Sequence, residues 1–227
     1  MIIIPTTRGS SGVVYAITDS MKTLESLRIN NFAHVNYTKE APRIGKLLNI
    51  NGAGIQYSWM KQNIGNTIDS YKDMNKLAAS VPIGSDGLRI LPFGNGAERM
   101  LNNQNKGARI SNLNFNLHKK EHMFRAALEG IAFSFVYGID ILKNDGVDLS
   151  VIRAGNDNLF RSGIFSNTIA TLVGADINII DTTGAVGAAR AAGVSSGAFK
   201  TLNEAFSDNW AWDDLSSFKR QKKLYWI

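Results

Sequence analysis

Apolar side chains between residues 120 and 143 recur as Phe124, Leu128, Ile131, Phe135, Ile139 and Leu142, in steps of three and four. That spacing lines all of them along one stripe and predicts a helix over Lys120–Lys143. Asn144-Asp145-Gly146 is the stop signal. Earlier the runs are shorter. Gly12–Thr18, with Val13, Val14, Tyr15 and Ile17, reads as a strand, and strand-like runs follow near His34–Thr38 and Arg43–Ile50. Their close spacing predicts an antiparallel meander. Ile55, Trp59 and Met60 then fall at helical spacing, which predicts a helix over Gly52–Ile64 and a second over Ile68–Ala79, stopped by Pro82.

Leu88-Arg89-Ile90-Leu91-Pro92 reads as a buried strand entering a long Asn- and Gly-rich loop, Phe93 to Leu117. Beyond the long helix the chain alternates: strand Leu149–Ala154, helix Asn158–Val173, strand Ile177–Asp181, helix Ala185–Ser196. Alternation of this kind predicts parallel crossovers. The expected architecture is α/β: a mixed sheet, antiparallel strands first and parallel strands later, with helices on both faces.

Composition narrows the class. At 44% hydrophobic and 19% charged, the 227 residues can bury a sizeable core. No apolar run reaches 18 residues, so no membrane span is expected, and Met1-Ile2-Ile3-Ile4-Pro5 is too short for a signal peptide. Cysteine is absent, which excludes disulfides and thiolate metal sites and fits a cytoplasmic protein. The net charge is +6, but Lys219, Arg220, Lys222 and Lys223 carry four of the positive charges within the last nine residues. A solvated basic tail accounts for them, and no arginine stripe with interleaved aromatics marks a nucleic-acid binder.

Four segments could carry chemistry. Arg8-Gly9-Ser10-Ser11-Gly12 precedes a strand, where glycines let backbone N–H groups converge on an anion and hydroxyls add donors; a plain turn uses the same residues. Arg153-Ala154-Gly155-Asn156-Asp157-Asn158 leaves the carboxyl end of a strand, where ligands gather in α/β sheets. Asn156 and Asn158 suit a base edge or a ribose hydroxyl, and Asp157 or Asn158 equally suits a helix N-cap. Eight of the ten residues from Gly184 to Gly193 are Gly or Ala, which fits tight helix packing or a flat ligand. Gly94-Asn95-Gly96-Ala97-Glu98-Arg99 reads as a polar substrate contact or as a solvated loop with a local ion pair.

His34, His118 and His122 have no metal spacing: His118 and His122 are i, i+4, but no acidic residue on that helix face completes a ligand set. There is no Gly-Lys-Ser/Thr phosphate loop and no Gly-x-Ser-x-Gly elbow. Trp59, Trp210, Trp212 and Trp226 read as core or interface residues.

The order of the segments says more than any one of them. Gly9-Ser10-Ser11-Gly12-Val13-Val14-Tyr15, Ile50-Asn51-Gly52-Ala53-Gly54, Leu91-Pro92-Phe93-Gly94-Asn95-Gly96-Ala97-Glu98-Arg99, Ala126-Ala127-Leu128-Glu129-Gly130-Ile131-Ala132-Phe133 and Gly184-Ala185-Val186-Gly187-Ala188-Ala189 together resemble the FGGY carbohydrate kinases, xylulose kinases above all. Ala108 to Glu129 is similar to that family's carboxy-terminal signature through Ile110, Leu113, His122-Met123 and Ala126-Ala127-Leu128-Glu129, with Asn112 where the pattern has glycine.

The resemblance implies a ribonuclease-H-like, actin-like ATPase fold over residues 1–206, with 207–227 left as a tail or helix. It implies the nucleotide-binding half of an ATP-dependent kinase for a ketose such as D-xylulose. The sugar would be met chiefly by an amino-terminal domain that also holds the catalytic aspartate, just upstream of this chain's first residue. No residue here is assigned as catalytic base, and little or no activity is expected without that domain. Gly9, Ser10, Ser11 and Gly12 would face the ATP phosphates, Gly155, Asn156 and Asn158 the adenine, and Mg²⁺ would be held through phosphate oxygens. A homodimer is compatible with this reading. The competing reading is a stand-alone nucleotide-binding or interaction module without kinase activity.

Overall fold

The computed structural model describes residues 2–4, 11–68, 70–148, 151–156, 158–180, 184–207 and 214–218. In chain order the elements are β1 (Ile2–Ile4), β2 (Gly12–Thr18), β3 (Asn30–Ala33), β4 (Ile44–Ile50), α1 (Ala53–Asn63), α2 (Tyr71–Ala79), β5 (Arg89–Leu91) and β6 (Arg109–Ser111). There follow α3 (Lys120–Asn144), β7 (Ile152–Gly155), α4 (Gly163–Val173), β8 (Ile177–Ile180), α5 (Gly184–Ser195), α6 (Leu202–Ser207) and β9 (Asp214–Phe218). The main sheet runs β3-β4-β2-β1-β7-β8-β9, and β5 and β6 form a separate ribbon.

The expected change of sense is present. β2 is antiparallel to β1 and β4, and β3 to β4. β1, β7 and β8 are parallel, and β9 returns antiparallel on β8. Thus Ile2–Ile4, weighed in the sequence only as a leader, is the central strand that joins the two halves. The tail segment 207–227 supplies a strand at 214–218.

Alternation decides which face packs. Val14 and Ala16 of β2 and Leu48 and Ile50 of β4 are fully buried, and the residues between them are half-buried. Against that buried face lies α3, whose stripe Phe124, Leu128, Ile131, Phe135, Ile139 and Leu142 is fully buried as the spacing predicts. Each such side chain contributes about 1.5–3 kcal/mol by leaving water. Phe135 meets Phe165 of α4 edge-on at 5.2 Å, and Phe165 meets Phe160 at 5.0 Å, so one aromatic row joins α3, α4 and the turn before α4. No side chain of α5 is buried, so the small residues of 184–193 do not serve tight helix packing among the described residues.

Several boundaries differ from expectation for local reasons. Residues 34–38 turn, and the strand lies earlier, at Asn30–Ala33. α2 starts at Tyr71 because the Ser70 hydroxyl caps it, accepting the Asp73 N–H at 3.2 Å. The helix expected over 158–173 breaks at Ser162 into a 3₁₀ turn and α4. β6 forms inside the long loop, and Asn112 behind it has φ +61°, the left-handed conformation a glycine would take. Asn tolerates that conformation, and its Nδ2 donates to Gly87 O at 3.2 Å.

At the end of the sheet where β2 leaves and β4 enters, a buried ion pair closes the structure. Lys46 of β4, 1% exposed, donates to Asp145 Oδ2 at 2.6 Å, Asp145 O at 3.1 Å and Lys22 O at 2.7 Å. Asp145 Oδ1 accepts from the Thr23 hydroxyl and from the backbone N–H groups of Leu24 and Glu25. Burial alone would raise the Asp145 carboxyl, but the hydrogen bonds from Lys46, Leu24 and Thr23 prevail and hold it below the usual carboxylate value.

Candidate nucleotide site

Register places the candidate segments. Ile4 lies beside Ala154 and Gly155 beside Ile180, so the chain leaves β1, β7 and β8 at one end of the sheet. Gly12 pairs with Ile50, so β2 starts and β4 finishes at that same end. The 5–11 connection, the 155–158 turn, the start of α5 and the start of α1 are therefore neighbours. This is the carboxyl-end edge at which open α/β sheets take ligands. Ser11 and Gly12 are described there; Gly9 and Ser10 lie outside the described residues, as do Asp157 and the side chain of Asn158. The Asn156 N–H donates to Ile180 O at 2.9 Å, and Arg161 Nε donates to Asn156 O at 3.2 Å, which fixes the turn after β7.

The Gly94–Arg99 segment does something the sequence did not reveal. Glu98 is fully buried and seats the start of α1: its carboxylate accepts Asn51 N–H at 2.8 Å and Gly52 N–H at 2.7 Å. It is neither a substrate contact nor half of a solvated ion pair. Burial raises its carboxyl above the usual value, against the lowering effect of the two N–H donors. Asn51 Nδ2 donates to Ala97 O at 2.6 Å and Asn95 Nδ2 to Asn51 O at 3.0 Å, completing the seat. Gly52 is required for this approach: a Cβ there would stand 1.6 Å from Pro92 O.

From this seat α1 runs beside α2, and a cleft of about 1110 Å³ opens between them. Gly54, Ile55 and Ser58 of α1 line one wall, Tyr71 and Lys76 of α2 the other, and Arg161 and Ser162 close the end next to β7. The volume suits a nucleotide-sized ligand. Tyr57 stacks on Tyr71 at 5.7 Å and donates to Asn75 Oδ1 at 2.7 Å, and burial pushes its phenol strongly upward, so it stays neutral. The Gln56 amide and the Ser162 hydroxyl are buried and meet no hydrogen-bond partner among the described residues. The helical face of α1 also differs from expectation: Ala53, Gln56, Tyr57 and Met60 are buried, whereas Trp59 is half-exposed and Ile55 faces the cleft. Trp210, Trp212 and Trp226 lie outside the described residues. Sequence reasoning missed this cleft because its walls come from two helices and a turn distant in the chain.

Residues 8–196 match the sequence profile of the FGGY family of carbohydrate kinases, C-terminal domain. The chain is 30% identical over 156 residues to the xylulose kinase of Haemophilus influenzae, covering 64% of this chain and 28% of that protein. It is 32% identical over 159 residues to the gluconokinase of Bacillus subtilis, covering 66% of this chain and 30% of that one. The crystal structure of Plasmodium falciparum glycerol kinase with ADP superimposes with a TM-score of 0.76 at 20% identity, over 97% of this chain and 43% of that chain. The fold is thus that of an actin-like ATPase domain. The chain belongs to the FGGY family of carbohydrate kinases, within its carboxy-terminal domain. It spans less than a third of the length of either curated relative, at 28% and 30%.

Proposed function

We propose that this chain is the nucleotide-binding portion of an ATP-dependent sugar kinase acting on a ketose such as D-xylulose. The observation that carries the reading is the meeting of the 5–12 hairpin connection, the 155–158 turn and the α1–α2 cleft at one end of the sheet. Phosphates would lie along Gly9, Ser10, Ser11 and Gly12, where backbone N–H groups and hydroxyls can converge on an anion. The base would enter beside Gly155, Asn156 and Asn158, toward the cleft. The described carboxylates nearest this edge favour no direct metal contact, since Glu98 is spent on two backbone donors. Mg²⁺ would then be held by phosphate oxygens and water, and would offset their charge during transfer.

Xylulose kinase, gluconokinase and glycerol kinase relatives all match the chain, so the sugar is read from the xylulose kinase resemblance alone. Within the chain no group is assigned to take the proton from the attacking sugar hydroxyl, and turnover by it alone is expected to be negligible. Calorimetry with ADP tests the reading, with saturable binding below millimolar concentration expected. No heat at several millimolar ADP would favour a module without nucleotide chemistry. ADP release on adding D-xylulose and ATP to the chain alone would overturn the assignment of the base elsewhere.

A further inference from the structure

We propose that His118 and His122 form an acid-released latch at the amino end of α3. It holds the 84–88 turn and the turn entering α3 in place only while both imidazoles are neutral. The argument rests on what each ring nitrogen meets. His118 Nδ1 accepts the Asn114 backbone N–H at 2.9 Å, and His122 Nδ1 accepts the Lys119 backbone N–H at 3.2 Å. A backbone N–H can only donate, so both Nδ1 atoms must carry a lone pair. The proton of each ring therefore sits on Nε2, and both Nε2 atoms face one residue across the turn. His118 Nε2 lies 3.3 Å from Asp86 O, and His122 Nε2 lies 3.1 Å from Asp86 Oδ2.

In this arrangement His122 takes the role that Glu or Gln fills at the third position of a capping box, accepting the N–H of the residue that caps α3. The turn it holds is costly. Ser85 and Asp86 both have φ +51°, outside the conformations their side chains favour. Beyond that turn the chain runs through β5 to the loop whose Glu98 seats α1.

Protonation must occur at Nδ1, and it sets an N–H against the backbone N–H that Nδ1 accepted. Asp86 favours the imidazolium at His122, but its side chain is 36% exposed, and it already accepts the Nε2 proton of the neutral ring. His118 meets only a carbonyl there, and its ring centroid is 5.3 Å from that of His122, so a second positive charge is opposed. The other charged groups around the pair are committed elsewhere. On α3, Arg125 and Glu129 pair with each other at 2.8 Å, and Glu129 also accepts the Gly84 N–H. Arg89 of β5 turns to Gly84 O, and Asp73 of α2 pairs with Ser70 and Lys76. The same tautomers disfavour a metal, which would need the Nε2 lone pair and an Nδ1–H facing an acceptor.

The latched form binds no proton, whereas an imidazole free in water takes one up near pH 6.5. The latch is therefore complete above that pH and is lost as pH falls. From pH 7.5 to 5.0 its opening constant should rise about 30-fold for one ring and about a thousandfold for two. Amide hydrogen exchange of the whole chain, corrected for intrinsic rates, tests this. Protection of Asn114 and Lys119 should fall at least 10-fold over that range. It should stay constant in His118→Asn/His122→Asn, where each Oδ1 replaces the Nδ1 acceptor and cannot titrate. Constant protection in the wild type, or the same fall in the variant, overturns the proposal. Nitrogen chemical shifts of the wild-type imidazoles give a second check: Nε2–H tautomers at pH 7.5 support it, and Nδ1–H tautomers or imidazolium overturn it.

Discussion

The two ends of the main sheet treat buried polar groups in opposite ways. At the far end every proton of the Lys46 ammonium has an acceptor, and Asp145 gathers a lysine, a hydroxyl and two backbone N–H groups. At the other end the chain leaves three parallel strands, α1 starts on a buried glutamate, and the buried Gln56 amide and Ser162 hydroxyl meet no partner among the described residues. A closed polar network holds loops in place. One with unmatched donors and acceptors beside a cleft is built to meet something else.

The largest expected effect tests the closed end. Asp145→Asn leaves the Lys46 ammonium buried without its counter-charge, and should destabilise the fold by about 3–5 kcal/mol. Chemical denaturation reads this, and nucleotide affinity of the folded protein should be unchanged. A cost under about 1 kcal/mol would show that the network is not closed. Its pH dependence follows from the lowered Asp145 carboxyl. The unfolded chain binds that proton first, so the contribution is complete above the ordinary carboxylate range and is lost as pH falls below it.

A smaller effect is expected at the open end. Glu98→Gln keeps one acceptor but turns an amide N–H₂ toward the other backbone donor, at a cost of about 2 kcal/mol. The pH slope has the opposite sign here, because the Glu98 carboxyl is raised. The folded chain binds that proton first, so this contribution is present at low pH and declines as pH rises through the window just above the ordinary carboxylate range. Comparing denaturation midpoints of Glu98→Gln and wild type from pH 4 to 7 should show it. A parallel pair of curves would contradict the burial of that carboxylate.

Much of the closed architecture was legible in the sequence, and the reason is periodicity. The stripe from Phe124 to Leu142 and the alternation in 12–18 and 43–50 report burial directly, because each position repeats the same environment. Ile2–Ile4 was not legible as the central strand, since three residues carry no period. The candidate site was legible only as an order of segments. The roles of Glu98 and of the α1–α2 cleft depend on contacts between residues distant in the chain, which no local pattern encodes. Asn112 shows the same limit on a smaller scale, because its departure from glycine is resolved by a left-handed backbone it can adopt. Asn112→Gly, the smallest effect expected, should change stability by less than about 1 kcal/mol, since conformational relief offsets the lost bond to Gly87 O and the freer unfolded chain. A larger change in thermal unfolding would mean that the side chain does more than tolerate the turn.

The difference between the two ends is tested most directly by amide hydrogen exchange with and without saturating Mg-ADP. The account predicts added protection at the start of α1, along the facing side of α2 and through residues 155–162, with residues 21–28 and 145–148 unchanged. No added protection at the open end, or protection confined to the closed end, would contradict it.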